Sequence, residues 1–423
     1  MSSRYDIVVY GATGFTGTYV VRMLASVSLF KGKTIAVSGR SEKKLRGVLE
    51  EIFRDTGNEN VRKFPIIVAD SSKEESLANM ARQAKVIINT VGPYILYGEA
   101  VVRAAINNNT SHVDISGDPA FLERMEHKYG KMARDKGVYI VGACGYDSIP
   151  CDLGIEFLKR HFDGTLAYAE TCWRMNKGTA GYTLNTGTFE SLLMGIKSIR
   201  DGGEAELHRS VVPDPVPRSK YTPSWRFPLT RFREPSFGAW AMPFPGVDKA
   251  IVERSQYYDF HVNGRRTFPI YPYFSIGSFF KSLLFALWLG IVGFFGLFAP
   301  TRRFMAAHPE GLSFGMFKKA GPTLEQIRET SFDYFFFGSG WEQGETPDGD
   351  RPTRKVTAVC HGPDPGYMCT SACISSAALA LLDGREKLPV NGGVFTTACV
   401  FRDTHNFEYL RTMGVTFDLL KKE

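Results

Sequence analysis

The chain has no repeat at a period of 20–50 residues, which sets aside solenoids and propellers. It has no zinc-finger spacing, no basic helix and no RNP-type aromatic motif, and its net charge is only +7 over 423 residues. Nucleic acid is therefore not an expected partner. Cysteine is sparse: Cys144, Cys151, Cys172, Cys360, Cys369, Cys373 and Cys399 form an odd set without metal-ligand spacing. Cys369 and Cys373 could share a helix face, but they read as ordinary buried thiols, and no metal site is expected. The opening Met-Ser-Ser-Arg-Tyr-Asp lacks the basic-then-apolar pattern of a secretory signal. The expectation is a protein that is not secreted and that works in a reducing compartment.

What is present first is length and apolar content. At 423 residues with 43% hydrophobic side chains, two domains with sizeable cores are expected. Residues 6–10, Asp-Ile-Val-Val-Tyr, form a β-branched apolar run, followed at once by Gly11-Ala-Thr-Gly14-Phe-Thr-Gly17 and a helical stretch from Tyr19. Strand, glycine turn and helix come in the order that a dinucleotide site requires, although the spacing is GxxGxxG rather than GxGxxG. Gly11 permits a tight turn, Gly14 a close approach of pyrophosphate, and Gly17 close packing of helix on sheet. The phosphates would then meet the amides and positive end of that helix, with Thr13, Phe15 and Thr16 completing the turn.

The second strand, 34–39, passes through Ser38 and ends in Arg40-Ser41. An NAD site usually places an acid here for the ribose 2′-hydroxyl. Arg40 instead offers a guanidinium suited to a 2′-phosphate, so NADP(H) is favoured over NAD(H). Residues 65–70 read as a strand ending in Asp70, which could touch the adenine edge. Residues 86–91 lead through Asn89 and Val91 into Gly92-Pro93-Tyr94, and 112–116 and 138–141 are further strands. Repeated β-α units imply a doubly wound parallel sheet, an α/β Rossmann domain over 1–150 with ligands at the strand C-terminal ends.

Beyond 150 the pattern changes to a second α/β domain with a mixed sheet, assigned to 151–390. Residues 166–173, 247–258, 332–337 and 355–360 read as its strands. Prolines recur from Pro213 to Pro245 too often for helix or central strand. There Arg209, Arg218, Lys220, Arg226, Arg231 and Arg233 stand against Asp214, with Trp225, Phe227, Phe232, Phe237 and Trp240 interleaved or following. Two readings stay open: an irregular wrap over the domain, or a loop facing a membrane surface or admitting substrate. Residues 282–301 carry no charge at all, between Lys281 and Arg302-Arg303. At about 1.5 Å per residue they are long enough to cross a bilayer, though a buried core helix meets the same description. Basic residues at both ends favour a monotopic hairpin or shallow insertion instead.

Several strand-end motifs together resemble the saccharopine dehydrogenase-like oxidoreductases: Gly11–Gly17, Ser38-Gly-Arg40, Asn89-Thr-Val-Gly-Pro-Tyr94, Tyr97-Gly-Glu99, Asp114-Ile-Ser-Gly-Asp118 and Gly145-Tyr-Asp-Ser-Ile-Pro150. Asp152-Leu-Gly154, Gly362-Pro-Asp-Pro-Gly-Tyr367 and Gly392-Gly-Val-Phe395 extend the likeness over nearly the whole chain. Thr396-Thr397 departs from the Thr-Pro expected after the last motif. The resemblance implies a Rossmann domain followed by a second α/β domain, with the C-terminal segment 391–423 returning to the body. It also implies links to lipid metabolism, to trans-acting enoyl reductases and to lipid droplets.

No tyrosine has a lysine four residues on, so the Tyr-x-x-x-Lys chemistry of short-chain dehydrogenases is absent. Hydride transfer then needs another proton donor. Candidates near the nicotinamide end are Tyr94, Asp118, Tyr146, Asp147 and Ser148, with Asp147 also placed to cap the helix that follows, and His112 reading as structural. The favoured function is an NADPH-dependent oxidoreductase for a lipid or other apolar enoyl or carbonyl substrate, on the cytosolic face of a membrane or lipid droplet. An amino-acid-type dehydrogenase and a non-catalytic cofactor-binding scaffold on lipid droplets are the alternatives. An oligomer is compatible with the sequence.

Overall fold

The computed structural model describes residues 4–201, 204–223, 229–232, 237–345 and 347–422, and the chain divides into two units. Trp225, Arg226, Phe227 and Arg233, part of the basic-aromatic stretch, lie outside the described residues.

The first unit comprises Met1–Tyr146 and Gly366–Gly414. Its elements alternate: β1 (Tyr5–Tyr10), α1 (Phe15–Ser26), β2 (Ile35–Gly39), α2 (Glu42–Thr56), β3 (Ile66–Val68), α3 (Glu74–Arg82), β4 (Ala84–Asn89), α4 (Tyr94–Asn107), β5 (Ser111–Asp114), α5 (Pro119–Asp135) and β6 (Tyr139–Val141). The strands are all parallel, in the order β3-β2-β1-β4-β5-β6, with Gly393–Phe395 added beside β6. Ile7, Val8 and Val9 are fully buried, as a strand covered on both faces demands. Strand order reverses between β1 and β4, so the crevice for a ligand opens at Tyr10–Gly11 and Asn89.

Helix Thr370–Asp383 also belongs to this unit, packing against α1, β4 and β5. The return of the chain therefore begins at Gly366, upstream of the expected position 391, and the first crossing falls after Tyr146 rather than at 150. The small Ala, Ser and Cys side chains of this helix are buried nearly all round, which suits close packing on a sheet. Cys369 and Cys373 lie there as buried thiols that form no disulfide, Sγ to Sγ 3.7 Å.

The second unit comprises Asp147–Pro365 and Val415–Glu423. It opens with α6 (Ile149–His161) and the long strand β7 (Gly164–Asn176), which pairs antiparallel with Ser331–Glu342 and parallel with Ile270–Gly277. Arg354–Pro363 and Thr416–Lys422 extend one side of this mixed sheet, and Trp240–Pro243 and Thr230–Arg231 the other. The final strand thus joins this unit instead of accompanying Gly366–Gly414.

The stretch 247–258, expected as a strand, is helix Asp248–Asn263. Its buried residues Ile251, Val252, Ser255, Gln256 and Asp259 recur at helical spacing, and Gly264 ends it at φ +67°. Among its described residues, the proline-rich segment contributes only the short strands at this end of the sheet, as its prolines require. Aromatic side chains from it, Phe232 and Phe237, are buried on the sheet against Phe335 and Phe337. For those two the irregular wrap is what forms.

α6 sits on the sheet through Gly154, where a Cβ would be built into the Phe336 ring. Gly154→Val is expected to cost about 2 kcal/mol or more by overpacking. The check is a lower midpoint in urea unfolding with the slope of the transition unchanged.

Candidate active site

The phosphate turn is held by its own backbone. Gly11 adopts φ +91°, and its N–H and that of Ala12 donate to the Ser38 carbonyl at 2.9 and 3.2 Å. Gly14 N–H returns to the Gly11 carbonyl at 2.9 Å. A Cβ at Gly17 would collide with that same carbonyl, so α1 comes this close only with glycine there. Gly14 is the N-cap of α1 and provides no side chain to satisfy the first-turn amides. Those amides and the helix dipole are left for an anion. Thr13 is exposed, and Thr16 and Phe15 half-buried, with the Phe15 ring on Tyr367 at 4.6 Å. Thr18, which the sequence did not single out, fastens the turn through its hydroxyl to the Gly14 carbonyl at 3.0 Å.

At the end of β2, Ser38 is fully buried, so it serves the turn through its carbonyl and not through its hydroxyl. Arg40 is exposed and forms no ion pair among the described residues. Ser41 caps α2, accepting from Lys44 N–H at 3.4 Å. Asp70 accepts from the backbone and hydroxyl of Ser72 at 3.0 and 2.9 Å. These bonds, helped by the nearby charge of Arg40, hold its carboxyl below the usual range. The Tyr10 phenol, raised by burial, reaches Ser71 in the same corner. The arrangement presents one free guanidinium, beside an acid already engaged by its own loop, to the place where a 2′-phosphate would lie.

At the end of β4, Asn89 is fully buried: Oδ1 accepts from Val91 N–H at 3.0 Å, and Nδ2 has no hydrogen-bond partner. Gly92 and Pro93 follow, and Pro93 precedes the first turn of α4. The Tyr94 hydroxyl donates to the Asn89 carbonyl at 2.9 Å. Burial, reinforced by Asp114, pushes that phenol well above its ordinary value, so Tyr94 shapes the turn and is a poor acid. Asp114 itself, buried and accepting from Ser116 and Ala143 amides, is pushed up to about 7 by burial. His112 is buried and driven down to about 3, hence neutral. Asp118 caps α5, its Oδ1 accepting from the Ala120 and Phe121 amides at 3.0 and 3.3 Å, so it serves this helix start as an acceptor. Tyr146 is buried, its N–H on the Thr370 hydroxyl at 3.3 Å.

Asp147 and Ser148 open the second unit. The N-cap of α6 is Ser148, buried and without a side-chain capping bond, so Asp147 does not cap this helix as its position suggested. Asp147 makes no hydrogen bond or ion pair among the described residues. Its accessible surface is that of an exposed residue, while desolvation by neighbouring protein atoms lifts its carboxyl to about 6. Two residues missed in the sequence stand behind it. Asp248 is buried, with one oxygen accepting from the Tyr334 hydroxyl at 2.5 Å and the other without a partner. Burial, and then the charges of Asp147 and Asp152, push Asp248 well above the usual carboxylate range. Asp152 accepts from the Ser255 hydroxyl at 2.8 Å. Asp248 escaped notice because its helix reads as a strand in sequence, and Tyr334 because it sits in an unbroken aromatic run.

With this geometry in view, residues 7–141 match the family model of the saccharopine dehydrogenase NADP binding domain. The chain is 45% identical over 422 residues to a Caenorhabditis elegans protein named lipid droplet localized protein, covering 99% of this chain and 98% of the relative. It is 36% identical over 426 residues to a Mus musculus saccharopine dehydrogenase-like oxidoreductase, covering 98% and 97%. It is also 30% identical to a Mycobacterium tuberculosis protein whose name assigns it, provisionally, as a trans-acting enoyl reductase, covering 98% and 97%. Among solved structures, the apo saccharopine dehydrogenase (L-Glu forming) of Saccharomyces cerevisiae shares the fold, with a TM-score of 0.54 at 12% identity over 99% of this chain and 100% of that one.

Arg40→Ala is expected to weaken NADPH binding about 10- to 100-fold, the loss of one charge-assisted contact, and to leave NADH binding within about twofold. Titration by nucleotide fluorescence checks it, and equal losses for both nucleotides would remove Arg40 from cofactor selection.

Proposed function

The chain belongs to the saccharopine dehydrogenase-like oxidoreductases, and from that premise we propose that it is an NADPH-dependent reductase of an apolar enoyl or carbonyl lipid, working at a phospholipid surface. In this reading the amides of Gly11–Gly17 hold the pyrophosphate, and Arg40 and Ser41 take the 2′-phosphate. Asp70 borders the adenine, and Asn89 with Val91, Gly92, Pro93 and Tyr94 borders the nicotinamide ring. The orphaned Asn89 amide and the side-chain-free mouth of α1 are what a bound dinucleotide would satisfy. When bound, NADPH supplies two electrons and a proton's nucleus as hydride to the electrophilic carbon and is itself oxidised to NADP+. The chain must deliver the matching proton to the neighbouring carbon or oxygen. Asp147 is assigned that role because it is unengaged and holds its proton up to about pH 6.

The observation that carries the lipid reading is an exposed apolar stripe on helix Phe279–Gly296 and the turn after it, in the same unit as Asp147. Phe280, Leu284, Leu287, Ile291, Phe294 and Phe298 follow one another at helical spacing, and Phe280 is 75% exposed and Leu284 67%. A soluble surface of this kind marks an apolar partner. Lys281, Arg302 and Arg303 border the stripe and suit phosphate headgroups. The name of the nematode relative agrees with such a surface. An amino-acid substrate with several carboxylates would have no use for the exposed apolar stripe.

Two measurements test the proposal. With vesicles carrying long-chain enoyl or keto lipids, the wild type is expected to oxidise NADPH at a rate that falls as pH rises through about 6, because Asp147 donates only while protonated. Asp147→Asn is expected to lower kcat/KM about 10²- to 10⁴-fold and to flatten that limb of the profile. A variant with unchanged rate and profile would clear Asp147 of the role. In vesicle flotation, the combined Leu284→Ser, Leu287→Ser and Phe294→Ser variant is expected to lose at least about tenfold in bound fraction. Undiminished flotation would remove this helix from the lipid contact.

A further inference from the structure

Helix Phe279–Gly296 is held to its unit by a cluster that lies toward its second half. Phe189, Leu193, Val292, Met305 and Phe317 are buried together, and Gly296 lets the helix settle on Ile196. Trp288 joins this contact and donates from Nε1 to the Leu312 carbonyl at 2.9 Å. That anchorage is sufficient to dock the helix.

A second set of rings leads away from it toward the sheet. Phe285 lies 5.4 Å from Trp288 and 5.7 Å from Phe274, and Phe274 stacks on Trp173 at 5.7 Å. Phe244 closes one side, 5.5 Å from Trp173 and 5.9 Å from Phe274. Phe274 is buried, but Trp173, Phe244 and Phe285 each stay half-exposed, an unusual state for large rings this far into a fold. The series begins beside the exposed stripe, since Phe285 follows Leu284 directly. At its other end Trp173 pairs across the strands with Tyr334. Tyr334 bonds Asp248, whose carboxyl feels the charge of Asp147. The rings of the track, Phe285, Phe274, Phe244 and Trp173, are themselves uncharged.

We propose that Trp173, Phe244, Phe274 and Phe285 form a seat for one long acyl chain, admitted from the lipid surface along helix Phe279–Gly296 and directed toward Asp147. This rests on the reading of the chain as a lipid reductase and names its substrate class: a single long-chain lipid whose reacting carbon lies near one end. The continuity of the rings with the exposed stripe selects the occupant. A peptide would need hydrogen-bonding groups along the track, and a short polar metabolite would leave the rings wet. The half-exposed rings gain most from a ligand that covers them with methylene groups.

The test reads binding without turnover. cis-Parinaric acid, a fluorescent eighteen-carbon fatty acid, is titrated below its micelle concentration into the purified full-length chain, with energy transfer from tryptophan as the signal. Phe285→Ser and Phe244→Ser are each expected to weaken it about tenfold or more, whereas Phe285→Leu, which keeps an apolar surface, retains most of the affinity. Phe244 follows the short strand Trp240–Pro243, next to last in the sheet, and is itself half-exposed, so its variant reports even if Phe285→Ser fails to fold. Hexadecanoate is expected to displace the probe and hexanoate to fail. Wild-type affinity in both serine variants, or equal displacement by the two acids, would overturn the seat. Binding that behaves as expected, in a chain that oxidises no NADPH with any long-chain lipid, leaves the seat standing and overturns the reductase reading instead.

Discussion

The contact between Gly17 and the Gly11 carbonyl governs the cofactor half of the molecule. It lets α1 begin directly over the C-terminal end of β1, with its first-turn amides open. Gly11 can point its carbonyl there because φ +91° costs glycine little, and because Ser38 accepts the two amides at the turn. Ser38 in turn stands one residue before Gly39 and two before Arg40, so on the proposed reading the backbone bond that fixes the pyrophosphate corner also fixes the distance to the 2′-position. On the other flank, Thr90 donates to the Tyr10 carbonyl and packs against Gly11, which ties the end of β4 to the same turn. One glycine-limited contact thus sets three corners of the dinucleotide crevice at once.

The two units solve opposite electrostatic problems. The first gathers uncompensated positive potential at strand ends, from the α1 amides and Arg40, and commits its acids elsewhere: Asp70 to Ser72, Asp114 to buried amides, Asp118 to the α5 cap. The second places Asp147 and Asp152 near Asp248, and burial holds the Asp248 carboxyl well above the usual carboxylate range. An anion-binding site and a proton store are what a hydride-and-proton transfer asks of its protein, and neither requires the tyrosine–lysine pair missing from this sequence.

Most of the first unit was legible because its strands are covered on both faces. Ile7–Val9 and Val86–Ile88 are uninterrupted apolar runs, and each stops at a glycine or polar residue where the chain leaves the sheet. The cofactor candidates fall at those stops for the same reason. The second unit was less readable. Val247 onward has the apolar content of a strand, and only its buried face, at 251, 252, 255, 256 and 259, reveals the helix. Asp147 precedes Ser-Ile-Pro as a helix cap would, but Ser148 takes the N-cap position. The chain returns to the first unit at Gly366 because helix Thr370–Asp383 packs on β4 and β5, a long-range contact without local signature. Hydrogen bonds joining residues as distant as Asp248 and Tyr334 are invisible to spacing, so sequence could supply the candidates for proton transfer but not separate Asp147 from Tyr94 or Asp118.

The apolar helix shows how structure narrows a compositional statement. Eighteen charge-free or nearly charge-free residues suffice by length to cross a bilayer, and composition alone stops there. A crossing helix would expose its whole circumference, whereas here Ser282, Val292 and Gly296 are buried on the protein. Its C-terminal carbonyls are also engaged: Arg302 donates to Gly296 and Arg200 to Leu297, each at 2.8 Å. Ser278 caps the other end. With one side bound to the protein and guanidinium groups holding the carbonyl end, the proposed lipid contact is made by the outward stripe along its length. On the proposed reading this geometry suits a single leaflet, to a depth of roughly 5–10 Å, and keeps Lys281, Arg302 and Arg303 at headgroup level together. It also leaves Phe285 at the edge of the immersed face, where a chain leaving the lipid would first meet an aromatic ring.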